Sequence, residues 1–367
     1  MKMVIGMDVH SKATMYMAQS EKGEPVSEGT VTTSLDGFSE MVEKLGASPG
    51  TRIGLETGTQ MTFVARILSS LGMAPVVIDA REVRQKARRM NQKSDRRDAF
   101  EICDGLRRGV FVSEVYVPDE EVHRLRRVLS RRRHFVNLCT SQVNAARFVL
   151  RSVGLRNRGA TLTTRAAWEK MLSDPELSAV RAHLDMHYRI WVSSSENLTA
   201  LDRELEEALK PFEDTEDLLR SVPGVGRICA ATFIAALGRA DRFAGSAQVA
   251  SYAGLVPTGY DSGEVIRRGH ITKAGSPELR AMLCEAAHQA ARANHPLNPY
   301  WRRIAAKGGY KKAVVAVAHR LSRILFRMWR KRERFDVNQL NVVRDKVVRQ
   351  KTYYYRFKEE PMSAQAR

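Results

Sequence analysis

The sequence has few cysteines and no long apolar run. Its four cysteines are spread over 367 residues, with no CxxC pair and no Cys/His pairing. This spacing argues against a disulfide framework or a zinc site and is typical of reduced, intracellular thiols. No apolar stretch is long enough to cross a bilayer, and the opening residues MKMVIGMDVH lack the apolar region of a secretion signal. We therefore expect a cytoplasmic protein without a membrane partner.

Acidic residues are also in short supply. Sixty Lys and Arg stand against forty-one Asp and Glu, which gives a formal net charge of +19. Such an excess predicts a polyanionic partner, most simply DNA or RNA bound through its phosphates. A membrane surface is the weaker alternative, because no basic stretch has a clean apolar opposite face. The length allows two or three domains, each with its own core.

The first 115 residues have an α/β pattern. Strand-like runs occur in MKMVIGMDVH, ATMYMAQS, PVSEGTVTTS, TRIGLET and APVVIDA, and helical patterns in DGFSEMVEKLG, TQMTFVARILSSLG and KSDRRDAFEICDGLRRG. Three strands, a helix and then alternating strands and helices fit the ribonuclease-H-like order, a mixed sheet flanked by helices. The segment from Glu114 to Glu121, around Pro118, is a plausible domain boundary.

Residues 116–210 change character. Apolar positions recur among Arg-rich faces, and no strand signal is present. The pattern predicts long helices and a coiled coil, broken near SVGLRNRGATLTT and followed by a second helical run, ENLTALDRELEEALKPF.

A third domain is expected over residues 211–350, with a frayed tail over 351–367. It opens with LLRSVPGVGRICAATFIAALG, in which Pro223 to Gly226 would form a tight turn between two helices. This turn resembles a helix-hairpin-helix, which aims backbone N–H groups and a helix N-terminus at a phosphate.

Four carboxylates form the first candidate site. Asp8 lies in an apolar strand, where a charge is costly unless it is paired or binds a metal, and Glu56 ends a strand before a Thr-Gly pair. Asp95 and Asp98 are three residues apart, a spacing that places both on one face of a helix. Hard oxygen ligands suit Mg²⁺, and two ions on shared carboxylates could activate a nucleophile and stabilise a leaving oxygen.

The structural alternative is that these acids are surface residues neutralised by Lys93, Arg96 and Arg97. It is credible for Asp95 and Asp98 taken singly. It is less so for Asp8, because a solvated acid seldom belongs inside a first strand.

A serine in GLVPTGYDSGEVIRRGHITKAGSPELR forms the second candidate site. Ser262 is expected in a loop between Asp261 and Gly263, with basic residues and His270 after it. Positive charge of this density could stabilise a pentacoordinate phosphate that a serine attacks. A serine in an Asp-Ser-Gly segment is more often a turn former, and His270 could be a phosphate contact or a core histidine.

Together, these segments resemble the DEDD transposases of the insertion-sequence 110 family, the bridge-RNA-guided recombinases. The resemblance covers nearly the whole chain and is carried by GMDVH, LETG, KSDRRDA, SVPGVG, YAGLVPTGYDSG and GHITKAGSPELR. It implies a RuvC-like N-terminal domain, a helical middle and a C-terminal transposase domain that carries the serine.

The resemblance further implies that the four acids hold Mg²⁺ and that Ser262 is the nucleophile. A 5′-phosphoserine would then link the protein to DNA during strand exchange, in a composite site between subunits of a tetramer. A structured RNA would pair with target and donor DNA, so that base pairing supplies sequence choice. Asp261 departs from the family pattern, since many relatives have a polar, non-acidic residue there; it could assist proton removal or cap the turn.

Phosphate contacts are expected from three places: the segment after the serine, the glycine turn and the middle helices. The residues are Arg267, Arg268, Lys273, Arg280, Gly224, Gly226, Arg131 and Arg132. Two rival functions stay open. A Holliday-junction resolvase or other metal-dependent nuclease would use the acids and leave the serine idle. A non-catalytic nucleic-acid-binding protein would explain the charge but not Asp8 in its apolar strand.

Overall fold

The computed structural model of the chain describes residues 2–86, 94–155, 162–262, 265–338 and 340. It divides into two compact units, Met1–Asp119 and Glu120–Arg367. Within the described ranges, no helix is long and apolar enough to cross a membrane.

The first unit is built on a five-stranded mixed sheet. Its strands are β1 (Met3–Val9), β2 (Ala13–Ser20), β3 (Pro25–Thr32), β4 (Arg52–Glu56) and β5 (Ala74–Ile78), in the spatial order β3-β2-β1-β4-β5. β1 pairs antiparallel with β2, and β2 with β3, whereas β1–β4 and β4–β5 are parallel. The mixed sheet expected from the sequence is confirmed. The near-continuous apolar sequence of β1 fits its central position, where a strand is covered on both faces.

Four helices accompany this sheet: α1 (Leu35–Leu45), α2 (Met61–Ser70), α3 (Ala80–Lys86) and α4 (Asp95–Arg107). The odd-numbered side chains of β1, among them Ile5 and Met7, enter one buried cluster with Phe38 of α1 and Leu68 of α2. Because strand side chains alternate between faces, the even-numbered positions of β1 belong to the opposite face.

Helix α4 covers that opposite face at very short range. A Cβ atom added at Gly6 would lie 2.3 Å from the carbonyl oxygen of Ala99 and from the backbone nitrogen of Cys103. One added at Gly54 of β4 would lie 2.8 Å from Cγ2 of Ile102. Glycine at these two positions therefore lets the helix backbone approach the two central strands.

The second unit begins with long helices, as the apolar periodicity predicted. The two long ones are α5 (Glu120–Ser152) and α7 (Arg181–Leu209), and the short helix α6 (Arg165–Leu172) lies between them in the sequence. α5 and α7 run antiparallel, since Gln142 contacts His187 at 2.8 Å and Arg132 contacts Asp202 at 2.6 Å. The run ENLTALDRELEEALKPF is not a separate helix: most of it is the second half of α7, which is continuous from Arg181.

The remainder of this unit is mostly helical, as expected. It contains α8 (Glu213–Arg220), α9 (Arg227–Leu237), α10 (Ser246–Tyr252), β6 (Pro257–Ser262), β7 (Val265–Ile271), α11 (Pro277–His288) and α12 (Asn298–Lys331). One large apolar core joins these helices to α5. α12 is kinked at Gly309, whose φ of 78° is not helical. The expected tail, residues 351–367, lies outside the described residues.

The hairpin of β6 and β7 corrects one expectation. Ser262 was expected in a loop, but it is the last residue of β6 and pairs with Val265 of β7. Antiparallel pairing of β6 with β7 therefore includes the serine position itself, and residues 263 and 264 lie outside the described residues.

Candidate active site

Asp8 lies near the end of β1, one position after Met7, the last residue of β1 that pairs with β4. Its side chain is 8% exposed. A buried carboxylate is costly unless a cation or hydrogen-bond donors offset the loss of water. Asp8 shares the strand face of Gly6, two residues earlier, so it belongs to the face that α4 covers.

Helix α4 brings a second acid to the same place. The Sγ atom of Cys103 contacts the carbonyl oxygen of Val4 at 3.2 Å, while Ala99, one turn earlier in the helix, lies against Gly6. The helix therefore runs antiparallel to β1, and its first turn lies at the strand end that carries Asp8. Asp95 opens this turn, and Ser94 caps it by accepting a hydrogen bond from the backbone N–H of Arg97.

His10 joins the two acids. Its Nε2 atom lies 3.2 Å from Oδ2 of Asp8 and 3.3 Å from Oδ1 of Asp95. One donor atom from each of the three residues falls within 4.8 Å of the others. His10 is not one of the site residues predicted from the sequence. The signal for it was its position two residues after Asp8, which gives both residues the same strand face if the strand geometry continues.

Glu56 and Asp98 lie near the group of Asp8, His10 and Asp95. Among the residues that the structure describes, neither belongs to that set of donor atoms within 4.8 Å of one another. Glu56 follows Leu55, which pairs with Met7, so it is level with Asp8 on the neighbouring parallel strand and on the face of Gly54. Asp98 is half-buried, one helical turn after Asp95. The structure thus brings two of the four predicted acids, Asp8 and Asp95, into one group. The other two lie at the same edge of the sheet, Glu56 as the last residue of β4 and Asp98 in the first turn of α4.

The basic neighbours of Asp95 have other partners. Nε of Arg96 donates to both carboxylate oxygens of Glu28 on β3, at 2.9 and 2.8 Å. The guanidinium of Arg97 lies 3.9 Å from Glu101, and Lys93 lies outside the described residues. Asp95 and Asp98 also have a local structural role, because acidic residues in the first turn of a helix interact favourably with the positive end of its dipole.

The serine segment lies in the hairpin of β6 and β7. Across the hairpin, Tyr260 is opposite Arg267 and Gly259 is opposite Arg268. Opposed positions share a face, and faces alternate along each strand. Positions 262 and 267 therefore fall on one face of the hairpin, and position 268 falls on the other.

Several predicted phosphate contacts have partners within the protein. Nη1 of Arg280 donates to the carbonyl oxygens of Ala253 and Lys273, at 3.2 Å each. Arg132 pairs with Asp202, whereas Arg131 and Lys273 are exposed. Their contacts with nucleic acid stay predictions.

The glycine turn lies between α8 and α9, as expected. Gly224 has φ +84°, a conformation that glycine adopts without strain, and Gly226 immediately precedes α9. His295 supports the turn: its Nδ1 accepts from the N–H of Leu297, so Nε2 carries the proton and donates to the carbonyl of Pro223 at 2.9 Å. The turn's contact with phosphate stays a prediction.

The four cysteines are free thiols. Burial raises the pKa of Cys103 and of Cys229 to about 12, and it also raises the pKa of Cys139 and Cys284. A thiol that stays protonated is a poor nucleophile. Burial thus keeps these four thiols in their less reactive, protonated form.

Comparison with known proteins shows the family of the chain. A transposase model for the DEDD proteins of IS110 matches residues 5–154, and a second, described as the transposase IS116/IS110/IS902 family, matches residues 216–302. The transposase of the insertion element IS1328 from Yersinia enterocolitica is 28% identical over 68% of this chain and 73% of its own length. The IS1111A transposase from Coxiella burnetii is 26% identical over 74% and 75%. The pilin gene-inverting protein of Moraxella bovis is 27% identical over 43% and 50%.

These matches define the class of protein: a DNA transposase, an enzyme whose substrate is DNA. The first match ends just after α5, and the second runs from α8 to the start of α12, so both units contain matched residues. The chain belongs to the IS110 family of DEDD transposases.

Proposed function

We propose that this transposase cleaves and rejoins DNA strands through a covalent serine–DNA intermediate, supported by divalent metal ions. Ser262 is the nucleophile, and Asp8, Glu56, Asp95 and Asp98 are the metal-binding acids. One observation carries the proposal: Asp8, buried at the end of β1, meets Asp95 from the first turn of α4 across an imidazole. Two acids from separate elements converge there in a chain of charge +19.

The first unit is a ribonuclease-H-like, RuvC-like domain. The strand order β3-β2-β1-β4-β5 supports this assignment, because the first three strands of the chain pair antiparallel and the last two join the sheet in parallel. The acids lie where the parallel strands β1 and β4 end, the usual edge for sites in α/β sheets. In this proposal, residues 116–210 form a helical coiled-coil region and residues 211–350 form the transposase domain.

The donor set fits a divalent ion. Carboxylate oxygens suit Mg²⁺, the ion proposed here. The side chains of His10 and Asp95 are about half exposed, at 50% and 61%, which leaves room for water and a DNA phosphate. A bound ion would neutralise charge on the reacting phosphate and lower the pKa of an attacking hydroxyl. The protein's own contribution is to hold the two acids on a strand and a capped helix, so that little reorganisation is needed.

The chemical step is a transesterification. Oγ of Ser262 loses its proton and forms a bond to phosphorus while the bond from phosphorus to the 3′ oxygen breaks. The 3′ oxygen takes up a proton, and the 5′ end stays on the serine as a phosphodiester. In the rejoining step a 3′-hydroxyl of another strand attacks this ester, and Ser262 recovers its hydroxyl. The phosphodiester bond energy is conserved, so no external energy source is required.

Target and donor choice falls to a structured guide RNA that base-pairs with both DNAs. The charge of +19 supports this, since it provides for two polyanionic partners. The active assembly is a tetramer in the cytoplasm, with Ser262 and the acids of one site drawn from different subunits. The similarity to a gene-inverting protein also favours strand exchange over simple cutting.

Replacement of the serine tests the nucleophile. Ser262→Ala should abolish protein–DNA adducts, detected as DNA that migrates with denatured protein, and should abolish recombination. Ser251→Ala, at an exposed serine of α10, is the matched control and should retain both. Recombination that persists in Ser262→Ala would refute the assignment.

Replacement of Asp8 tests the metal site. Asp8→Asn should remove metal-dependent cleavage, whereas Asp36→Asn, at an exposed acid in the first turn of α1, should not. If Ser262→Ala still cuts DNA while Asp8→Asn does not, the protein is a metal-dependent nuclease that uses water, and the serine mechanism is wrong.

A further inference from the structure

The histidine between the two acids has no role in the function proposed above. We propose that His10 is itself a metal ligand, so that the site offers nitrogen as well as oxygen and prefers Mn²⁺ to Mg²⁺. This inference rests on the proposed function only in assuming that Asp8 and Asp95 bind an ion.

The separations of the donor atoms match those of neighbouring ligands on one ion. In octahedral coordination with bonds of about 2.1–2.2 Å, adjacent donors lie about 3.0–3.1 Å apart. Nε2 of His10 is 3.2 Å from the Asp8 oxygen and 3.3 Å from the Asp95 oxygen. An imidazole placed adjacent to both carboxylates therefore needs shifts of only a few tenths of an ångström to share an ion with them.

The backbone of His10 is held firmly. Its N–H donates to the carbonyl of Ala13 at 3.2 Å, and its carbonyl accepts from Oγ1 of Thr33 at 2.7 Å. Oγ1 of Thr33 also contacts Oγ1 of Thr14 at 2.9 Å. The ring is thus presented by a turn that is tied to both β2 and the residue after β3. A preorganised position of this kind is what a metal ligand requires.

The competing interpretation is an ion pair in which His10 holds the acids together without metal. Both Asp95 and His10 are about half exposed, and exposed ion pairs contribute little to stability. If His10 only pairs with the acids, a binding metal ion would displace its imidazole. If His10 is a ligand, the imidazole nitrogen would bond to the ion. The two interpretations therefore differ in whether nitrogen is bonded to the metal.

The nitrogen ligand also predicts a preference. Affinity of mixed N/O sites follows the Irving–Williams order, and imidazole suits transition ions, whereas Mg²⁺ favours oxygen. A site built from two carboxylates and one imidazole should therefore bind Mn²⁺ more tightly than Mg²⁺ or Ca²⁺. Removal of the imidazole should reduce this difference.

Electron spin-echo modulation of bound Mn²⁺ tests the bond directly in the full-length protein. His10 is the sole histidine in the first 119 residues, so a coupled imidazole nitrogen in that unit can be assigned to it. We expect ¹⁴N modulation in the native protein and in His183→Gln, an exposed histidine of α7 that serves as the control. Uniform ¹⁵N labelling should replace the ¹⁴N signal, which excludes nitrogen from the buffer.

His10→Gln should abolish the modulation and weaken Mn²⁺ binding by about 10- to 100-fold, with a smaller loss for Ca²⁺. Mn²⁺ that binds to the native protein without nitrogen modulation, and is lost in Asp8→Asn, would overturn the role of His10 and leave the acids as the metal site. Mn²⁺ binding that is absent, or unaffected by Asp8→Asn, would refute both this inference and the proposed metal site. The native-protein spectrum decides the question even if a variant folds poorly.

Discussion

A graded series of glycine substitutions tests whether the close approach of α4 builds the site. At Gly6 a new methyl group would meet backbone atoms of α4 at 2.3 Å, whereas at Gly54 it would meet the end of the Ile102 side chain at 2.8 Å. At Gly58, beside the site and without a positive φ, it would meet nothing within 4 Å. We expect the loss of stability to follow the order Gly6→Ala, Gly54→Ala, Gly58→Ala.

The magnitudes follow from these distances. Ordinary contact begins near 3.4 Å, so at Gly6 the helix backbone must retreat by about 1 Å. Overpacking a core costs about 1–3 kcal/mol. Because the obstacle is backbone, we expect about 3 kcal/mol for Gly6→Ala and about 1 kcal/mol for Gly54→Ala. Gly58→Ala should stay within about 0.5 kcal/mol.

The same retreat should disturb the site. Metal–ligand distances tolerate deviations of only about 0.2 Å. Because Ala99 lies one helical turn from Asp95, a shift of about 1 Å at Ala99 would move the Asp95 carboxylate by more than this. Gly6→Ala should therefore weaken Mn²⁺ binding at least about 10-fold, while Gly58→Ala should not change it.

The assay must report on the first unit. All four tryptophans (168, 191, 301 and 329) lie in the second unit, so their fluorescence serves as a control that should not change. Hydrogen exchange by mass spectrometry on peptides from β1 and α4 gives the local opening free energy. A cost of about 3 kcal/mol corresponds to about 100-fold faster exchange in Gly6→Ala. Equal protection in Gly6→Ala and Gly58→Ala would refute the packing on which the site depends.

Two further predictions concern the hairpin and the buried thiol. Arg267→Gln should lower the yield of protein–DNA adducts more than Arg268→Gln, because position 267 shares the hairpin face of position 262; equal losses would contradict this. Burial raises the pKa of Cys103 from 9.0 to about 12, so its contribution to stability is full below pH 9 and is lost as the pH rises towards 12. Pulse proteolysis between pH 8 and 10 should show this decline, and Cys103→Ala should make it shallower, with the part due to Cys229 remaining.

Much of the fold could be predicted from the sequence, because the strands are short apolar runs bounded by turn signals. ATMYMAQS is β2 residue for residue. The same turn logic failed at Ser262, where Asp-Ser-Gly indicated a loop but pairing with β7 extends the strand. The start of α7 was also missed, since the helix begins well before its apolar pattern becomes regular.

The site was only partly predictable. The acids could be selected from local context, since Asp8 interrupts an apolar strand and Asp95 and Asp98 share a helical face. Their convergence depends on Gly6 and Ala99, which are far apart in sequence and touch only after folding. His10 was missed because a histidine in a turn has no distinctive pattern until α4 places Asp95 beside it.

Asp8→Asn and Asp95→Asn should affect the stability of the metal-free protein differently, which separates the structural and metal-binding roles of these two acids. Asp95 meets the positive end of α4, an interaction of about 0.3–1 kcal/mol, so Asp95→Asn should destabilise the metal-free protein slightly. Asp8 is a buried charge close to another acid, so Asp8→Asn should leave the metal-free protein unchanged or more stable.

Metal should reverse the ranking for Asp8. An ion at 100 times its dissociation constant stabilises the native protein by about 2.7 kcal/mol, and Asp8→Asn forfeits this gain. Hydrogen exchange of α4, measured with EDTA and with Mn²⁺, should therefore show Asp8→Asn as stable as the native protein in EDTA and much less stable in Mn²⁺. If Asp8→Asn is equally destabilised in both conditions, the carboxylate is needed for folding itself, and its burial is not evidence for a metal site.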